Sequence, residues 1–225
     1  MMAIWNIKRD CDMGDRFLEW LQSTQTNRTS IKAFKCAQTH RPNETVQWHA
    51  RTGLLYSHVY RLAPGEWFNT SSFEALATVW SRYNARTIIM PPVSLQALVV
   101  PLSSVEEARE STLQWMLLPV NVGETHWTGI IIDKKKHQFI RYDSLGRHSE
   151  ILDRVATVFK TDATFANYSV LNTSPVQTDS YYCGLFTAYF FWGTIDPTLD
   201  KMLSAKKRMS AHLICLGFVF KSFRI

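Results

Sequence analysis

The chain has 225 residues, enough for one ordinary domain or a domain with an extension, and its 46% hydrophobic residues can fill a sizeable core. Lys and Arg number 25 against 19 Asp and Glu, a formal charge of +6 that is too mild to argue for a nucleic-acid partner. Cys11, Cys36, Cys183 and Cys215 lie far apart with no C-x-x-C pair, which excludes the stapled framework of a small secreted domain.

The opening MMAIWNIKRDCDMGDRF places charges where a signal peptide needs an unbroken apolar stretch, and no later run approaches the roughly 18 apolar residues of a membrane span. The expectation is a soluble intracellular protein of nucleus or cytoplasm, without a membrane partner. The Asn-x-Ser/Thr triplets at Asn27, Asn43, Asn69, Asn167 and Asn172 then count as products of composition.

Residues 1–45 mix charge, Thr and Asn around one amphipathic stretch, 14–23, where Phe17, Leu18 and Leu21 share a helical face. They read as an N-terminal extension to a domain spanning 46–225. A helix is predicted over 72–84, with Phe73, Leu76, Ala77, Trp80 and Tyr83 at helical spacing behind a Ser/Thr cluster that supplies the N-cap. After the prolines Pro91 and Pro92, 113–120 reads as a buried strand and 127–144 as a hairpin turning through the lysine run. These three strands form an antiparallel core. Ile151, Val155 and Val158 recur on one face of a helix over 147–160, 168–172 is a short strand, and 183–193 and 199–217 are helical again. The fold class is α+β, helices flanking a small mixed sheet.

Cys183 stands at the start of a predicted helix, where unsatisfied first-turn amides stabilise a thiolate and can face a developing oxyanion; Gly184 after it lets backbone approach closely. A lone cysteine is otherwise a small buried hydrophobe. The base must come from elsewhere, and His126 sits where a loop enters a strand, an edge that presents side chains to clefts. The other histidines, His148 among them, fall in loops, a turn or helices and read as local or surface groups. Asp143 ends the partner strand 17 residues on, which brings it level with His126 across the hairpin as the carboxylate that sets the imidazole's tautomer. Gln177, six residues before the cysteine, can fold back to offer its amide NH2 to an oxyanion.

The string Pro119-Val120-Asn121, His126-Trp127, Tyr142-Asp143-Ser144-Leu145, then Gln177 and Cys183-Gly184 resembles the ubiquitin-like-protein-specific (SUMO or sentrin) cysteine proteases of the adenain-like clan. Trp67-Phe68-Asn69 is similar to that family's Trp-Leu-Asn-Asp motif and 207–213 to its terminal helix, so the resemblance covers about residues 64–217. It implies a papain-like, adenain-like fold in which Cys183 is the nucleophile, His126 the base and then acid, Asp143 its orienting carboxylate and Gln177 an oxyanion donor. It also implies that Trp67 and Trp127 wall a slot admitting only a Gly-Gly-like C-terminus, with Gly184 beside it. The implied partner is a ubiquitin-like protein, SUMO foremost, and no metal or organic cofactor is called for. Tyr182 stands where the family commonly has Asp, and Phe68 and Thr70 where Leu and Asp are usual, so substrate identity stays open. A viral-type polyprotein protease, a protein acetyltransferase of the same fold and an inactive ubiquitin-like-binding module are the alternatives.

Overall fold

The computed structural model describes residues 2–23, 28–45, 55–63, 65–73, 76, 85–94, 100–173, 177 and 181–195. The chain divides into two compact units, Met1–Val79 with Ser204–Ile225, and Trp80–Leu203.

In the first unit, helices α1 (Met2–Ser23), α2 (Arg28–Thr39) and α3 (Tyr56–Tyr60) pack together, α1 touching both others. The amphipathic segment expected over 14–23 is the anchored half of the longer α1. Met13, Phe17 and Leu21, one turn apart, are fully buried, and no proline interrupts the charged residues before them. Phe17 meets Tyr60 with ring centroids 5.0 Å apart, and Arg16 pairs with Glu66 at 2.6 Å. Residues 70–73 and Leu76 are helical where a helix over 72–84 was expected; its remaining positions, including Trp80 and Tyr83, lie outside the described residues. The cap is Asn69, whose Oδ1 accepts the Ser72 amide at 2.9 Å, rather than the Ser/Thr cluster.

Among the described residues the second unit is built on a six-stranded sheet: β1 (Thr87–Ile89), β2 (Val93–Ser94), β3 (Trp115–Val122), β4 (His126–Asp133), β5 (Gln138–Tyr142) and β6 (Ser169–Asn172). The order is β1-β3-β4-β5-β6, with β2 also on β3. The central pairs β3–β4 and β4–β5 are antiparallel, as the hairpin reading requires, and β1, β2 and β6 add parallel edges. All eight residues of β4 are buried because helices cover both faces. Pro119, which has no N–H to give, sits in β3 between the residues paired to β1 (115–117) and those paired to β2 (120–121), so its missing donor breaks no ladder bond on that side.

One face carries α4 (Leu102–Glu110) and α5 (Ser149–Lys160). There Met116, Leu118, Ile130, Ile132 and Phe139 interlock with Leu152, Val155 and Phe159. The other face receives α6 (Cys183–Ile195), apolar around most of its circumference and packed on β4. Its close approach depends on Gly129. A Cβ there would lie 2.7 Å from Phe191 Cε1, nearer still to Cζ, and 3.1 Å from Thr187 Cγ2. The helix expected over 199–217 lies outside the described residues.

Two turns place the functional ends of the strands. Gly123 and Glu124 both adopt left-handed φ of 59°, the signature of a tight turn matched to strand twist, and return the chain directly into His126 at the head of β4. At the other end of β4, Asp133 Oδ1 accepts the amides of Lys135 (3.1 Å) and Lys136 (3.2 Å), so the turn forms at the lysine run as read.

Candidate active site

His126, at the first position of β4, and Asp143, just beyond β5, are both buried, and His126 Nε2 contacts Asp143 Oδ1 at 2.8 Å. The two are not level. Gly129 pairs with Tyr142, so the same register carried one step sets Asp143 opposite Thr128, and His126 reaches it diagonally on the same face. Asp143 is held by more than the imidazole: Leu145 N–H donates to Oδ1 at 3.0 Å and His148 N–H to Oδ2 at 2.7 Å. Burial pushes this carboxyl up, but the hydrogen bonds from His126, His148 and Leu145 outweigh it and bring it down to about 2.

For His126 burial acts to lower the pKa. The contact with Asp143 and the neighbouring Cys183 overcome it and raise the imidazole to about 9. With Nε2 committed to Asp143, Nδ1 is the nitrogen that remains for the thiol.

Cys183 opens α6, as the sequence predicts, but its side chain is buried rather than displayed. Its Sγ accepts the backbone N–H of Trp127 at 3.4 Å. One turn further along α6, Thr187 Oγ1 donates to the Trp127 carbonyl at 3.1 Å, so both backbone polar groups of Trp127 tie β4 to the start of α6. The arrangement seats the thiol beside the residue that follows His126. Gln177 is also buried; Ser144 Oγ donates to its Oε1 at 2.5 Å, and Gln177 N–H donates to the Ser144 carbonyl at 3.0 Å.

The remaining candidates divide. Gly184 is buried behind Cys183. The Trp127 side chain is 3% exposed, whereas Trp67, in the first unit, is 44% exposed with its carbonyl accepting from Arg61 at 3.2 Å. Sequence reasoning missed His148, set aside as a local or surface group. Its ring lies against His126 with centroids 4.9 Å apart, while its amide holds Asp143. Burial and the nearby His126 charge, with Arg147 adding to both, lower its pKa against the pull of Asp143. The only signal in the sequence is its place five residues after Asp143 at the mouth of a helix.

Residues 112–211, which contain His126, Asp143, Gln177 and Cys183, match the model of the Ulp1 protease family, C-terminal catalytic domain. Over that stretch the chain is similar to Ulp1-family catalytic domains. A solved structure of the SUMO protease Ulp1 with its catalytic cysteine oxidized to a sulfonic acid is 16% identical, covers 92% of this chain and 94% of its own, and superposes with a TM-score of 0.61. A second, of Ulp1 with the cysteine as a sulfenic acid, is 18% identical over 73% of this chain and 82% of its own, TM-score 0.56. The Ulp1 protease domain in complex with SMT3, the yeast ortholog of SUMO, is 17% identical over 73% and 80%, TM-score 0.54. At these identities the likeness is one of fold, and it is the α+β, adenain-like fold expected from the sequence. No curated protein matches the sequence. Among the described residues no helix is long and apolar enough to cross a membrane.

Proposed function

We propose that this chain is an Ulp1-family cysteine peptidase or isopeptidase that cleaves after the Gly-Gly-like C-terminus of a ubiquitin-like protein, SUMO foremost. The observation that carries the proposal is the buried 2.8 Å contact of Asp143 with His126, with the Cys183 sulfur seated on the amide of Trp127, the residue next to His126. In this reading Cys183 Sγ attacks the scissile carbonyl carbon while His126 Nδ1 holds the thiol proton. The tetrahedral oxyanion is met by Gln177 Nε2 and first-turn amides of α6. Collapse of the intermediate breaks the C–N bond, His126 returns its proton to the leaving amine, and a thioester remains. Water activated by His126 then hydrolyses the thioester, releasing the carboxylate and restoring the thiol. Asp143 keeps the imidazole in one orientation throughout and stabilises its cationic form. Trp67, Trp127 and Gly184 are the proposed substrate contacts, on the family resemblance.

The test is incubation of the purified protein with SUMO, NEDD8 and ubiquitin, each carrying a C-terminal electrophile, followed by intact mass. The expected result is an adduct with SUMO that Cys183→Ala abolishes and Cys11→Ala, which removes an exposed thiol, does not. An adduct with ubiquitin or NEDD8 alone would keep the peptidase and replace the substrate. No adduct with any of the three from a folded protein would overturn the reading and favour acyl transfer, polyprotein cleavage or binding without cleavage.

A further inference from the structure

The turn that supplies Asp143 supplies a second group, and it faces the proposed oxyanion donor. Ser144 has no exposed surface, and it contacts Gln177 twice: its hydroxyl donates to Oε1 and its carbonyl accepts the Gln177 amide. One bond fixes where the Gln177 backbone lies, and the other fixes which way its carboxamide faces. At 2.5 Å the side-chain contact has the length of an O–H···O bond and falls short of the usual N–H···O range of about 2.7–3.2 Å, so the carbonyl end of the amide is the end turned to Ser144. A carboxamide is planar with oxygen and nitrogen on opposite sides of one carbon. Holding Oε1 therefore directs Nε2 away from Ser144 before any substrate arrives. A glutamine has three rotatable side-chain bonds, and a donor that must be ordered at the moment of reaction stabilises the transition state less than one already set.

We propose that Ser144 is a positioning residue for oxyanion stabilisation, setting the Gln177 carboxamide so that its NH2 serves the intermediate formed at Cys183. The proposal rests on Gln177 being the oxyanion donor. It makes the Asp143-Ser144 dipeptide a joint device, one residue orienting the base and the next orienting the electrophilic support.

The test is a double-mutant cycle on SUMO, NEDD8 or ubiquitin bearing a fluorogenic C-terminal amide, whichever forms the adduct, with kcat and KM measured separately. Gln177→Ala is expected to lower kcat by about 10²–10³. Ser144→Ala should lower kcat by roughly tenfold to a hundredfold with KM unchanged, and the double variant should be no slower than Gln177→Ala alone. Ser144→Cys keeps the side chain's position with a much weaker donor and should lose rate in the same direction, which covers the case in which Ser144→Ala does not fold. Alkylation of Cys183 by iodoacetamide forms no oxyanion, so its rate should stay at the wild-type value in every variant. A Ser144 variant with wild-type kcat while Gln177→Ala is slow would overturn the proposal and leave the peptidase reading standing. So would multiplicative losses in the double variant, or a parallel fall in alkylation that shows a distorted site. Wild-type turnover by Gln177→Ala, or no turnover of any of the three substrates, would instead remove the reading on which the proposal rests.

Discussion

Replacing Gly129 by Ala adds one methyl group at the point where α6 lies closest to β4. The new Cβ would stand 2.7 Å from Phe191 Cε1 and 3.1 Å from Thr187 Cγ2, against 3.4–4 Å for ordinary contact. Phe191 and Thr187 have no exposed surface, so neither can swing into solvent, and α6 must retreat by at least about 0.7 Å, the shortfall at Cε1 alone. Overpacking of this kind costs about 1–3 kcal/mol. In a chain of this length each kcal/mol moves Tm by about 2–4 °C, so the expected drop is about 2–12 °C. The same displacement draws Cys183, the first residue of α6, away from His126 and the Trp127 amide. A misplacement of about 1 Å costs on the order of a hundredfold in rate, so a loss of about tenfold or more is expected for 0.7 Å. Differential scanning fluorimetry and the fluorogenic assay measure the two effects. Gly193→Ala is the matched control, because a Cβ at that position of the same helix meets nothing within 4 Å. It should be neutral or slightly stabilising, since Ala is the better helix former by about 1 kcal/mol. The reasoning is refuted if Gly129→Ala melts within about 1 °C of wild type at full activity, or if the Gly193 control suffers equally.

Asp143→Asn removes the carboxylate that holds His126 at about 9, so the alkaline limb of the pH–rate profile should move to lower pH and kcat should fall by about 10³–10⁴; an unmoved limb counts against the pair. The stability consequence has a definite sign. The His126 contribution is fully present below pH 6.5 and is lost as pH rises through about 9, while that of Asp143 is present above pH 3.8 and is lost as pH falls through about 2. The Tm gap between wild type and Asp143→Asn should therefore be widest between pH 3.8 and 6.5, and a gap that grows towards pH 9 would contradict the assignment. His148 is neutral until pH falls below its lowered pKa, when it places a second cation against His126 with Arg147 nearby and only Asp143 opposing. His148→Phe keeps a ring in that contact without a charge, so it should retain activity further into acid than wild type; coincident acid limbs would show that the ring acts by packing alone.

The elements with strong local patterns were legible in the sequence. The apolar runs of β3 and β4 read as strands because both faces are covered, the lysine run read as a turn because Asp133 caps it, and α5 read from its spaced apolar positions. The expected boundaries were within about two residues of those observed for β3, β4, β5, α5 and β6. β1 and β2, with three and two residues, carry no period of their own and exist through parallel pairing to β3. At the candidate site the sequence could name His126, Asp143, Gln177 and Cys183 from residue type, order and position at element ends.

Tertiary structure alone decided their relations. The diagonal offset of His126 and Asp143 follows from the register of β4 on β5, and the approach of Cys183 from the bare surface at Gly129. Ser144 meets Gln177 across 33 residues of chain, and Sγ meets the Trp127 amide across 56. Local periodicity reports which face of an element is apolar, because side-chain direction repeats along a helix or strand. It holds no record of which distant polar groups will be shut away from water together, and a buried donor must find its acceptor wherever packing has brought one.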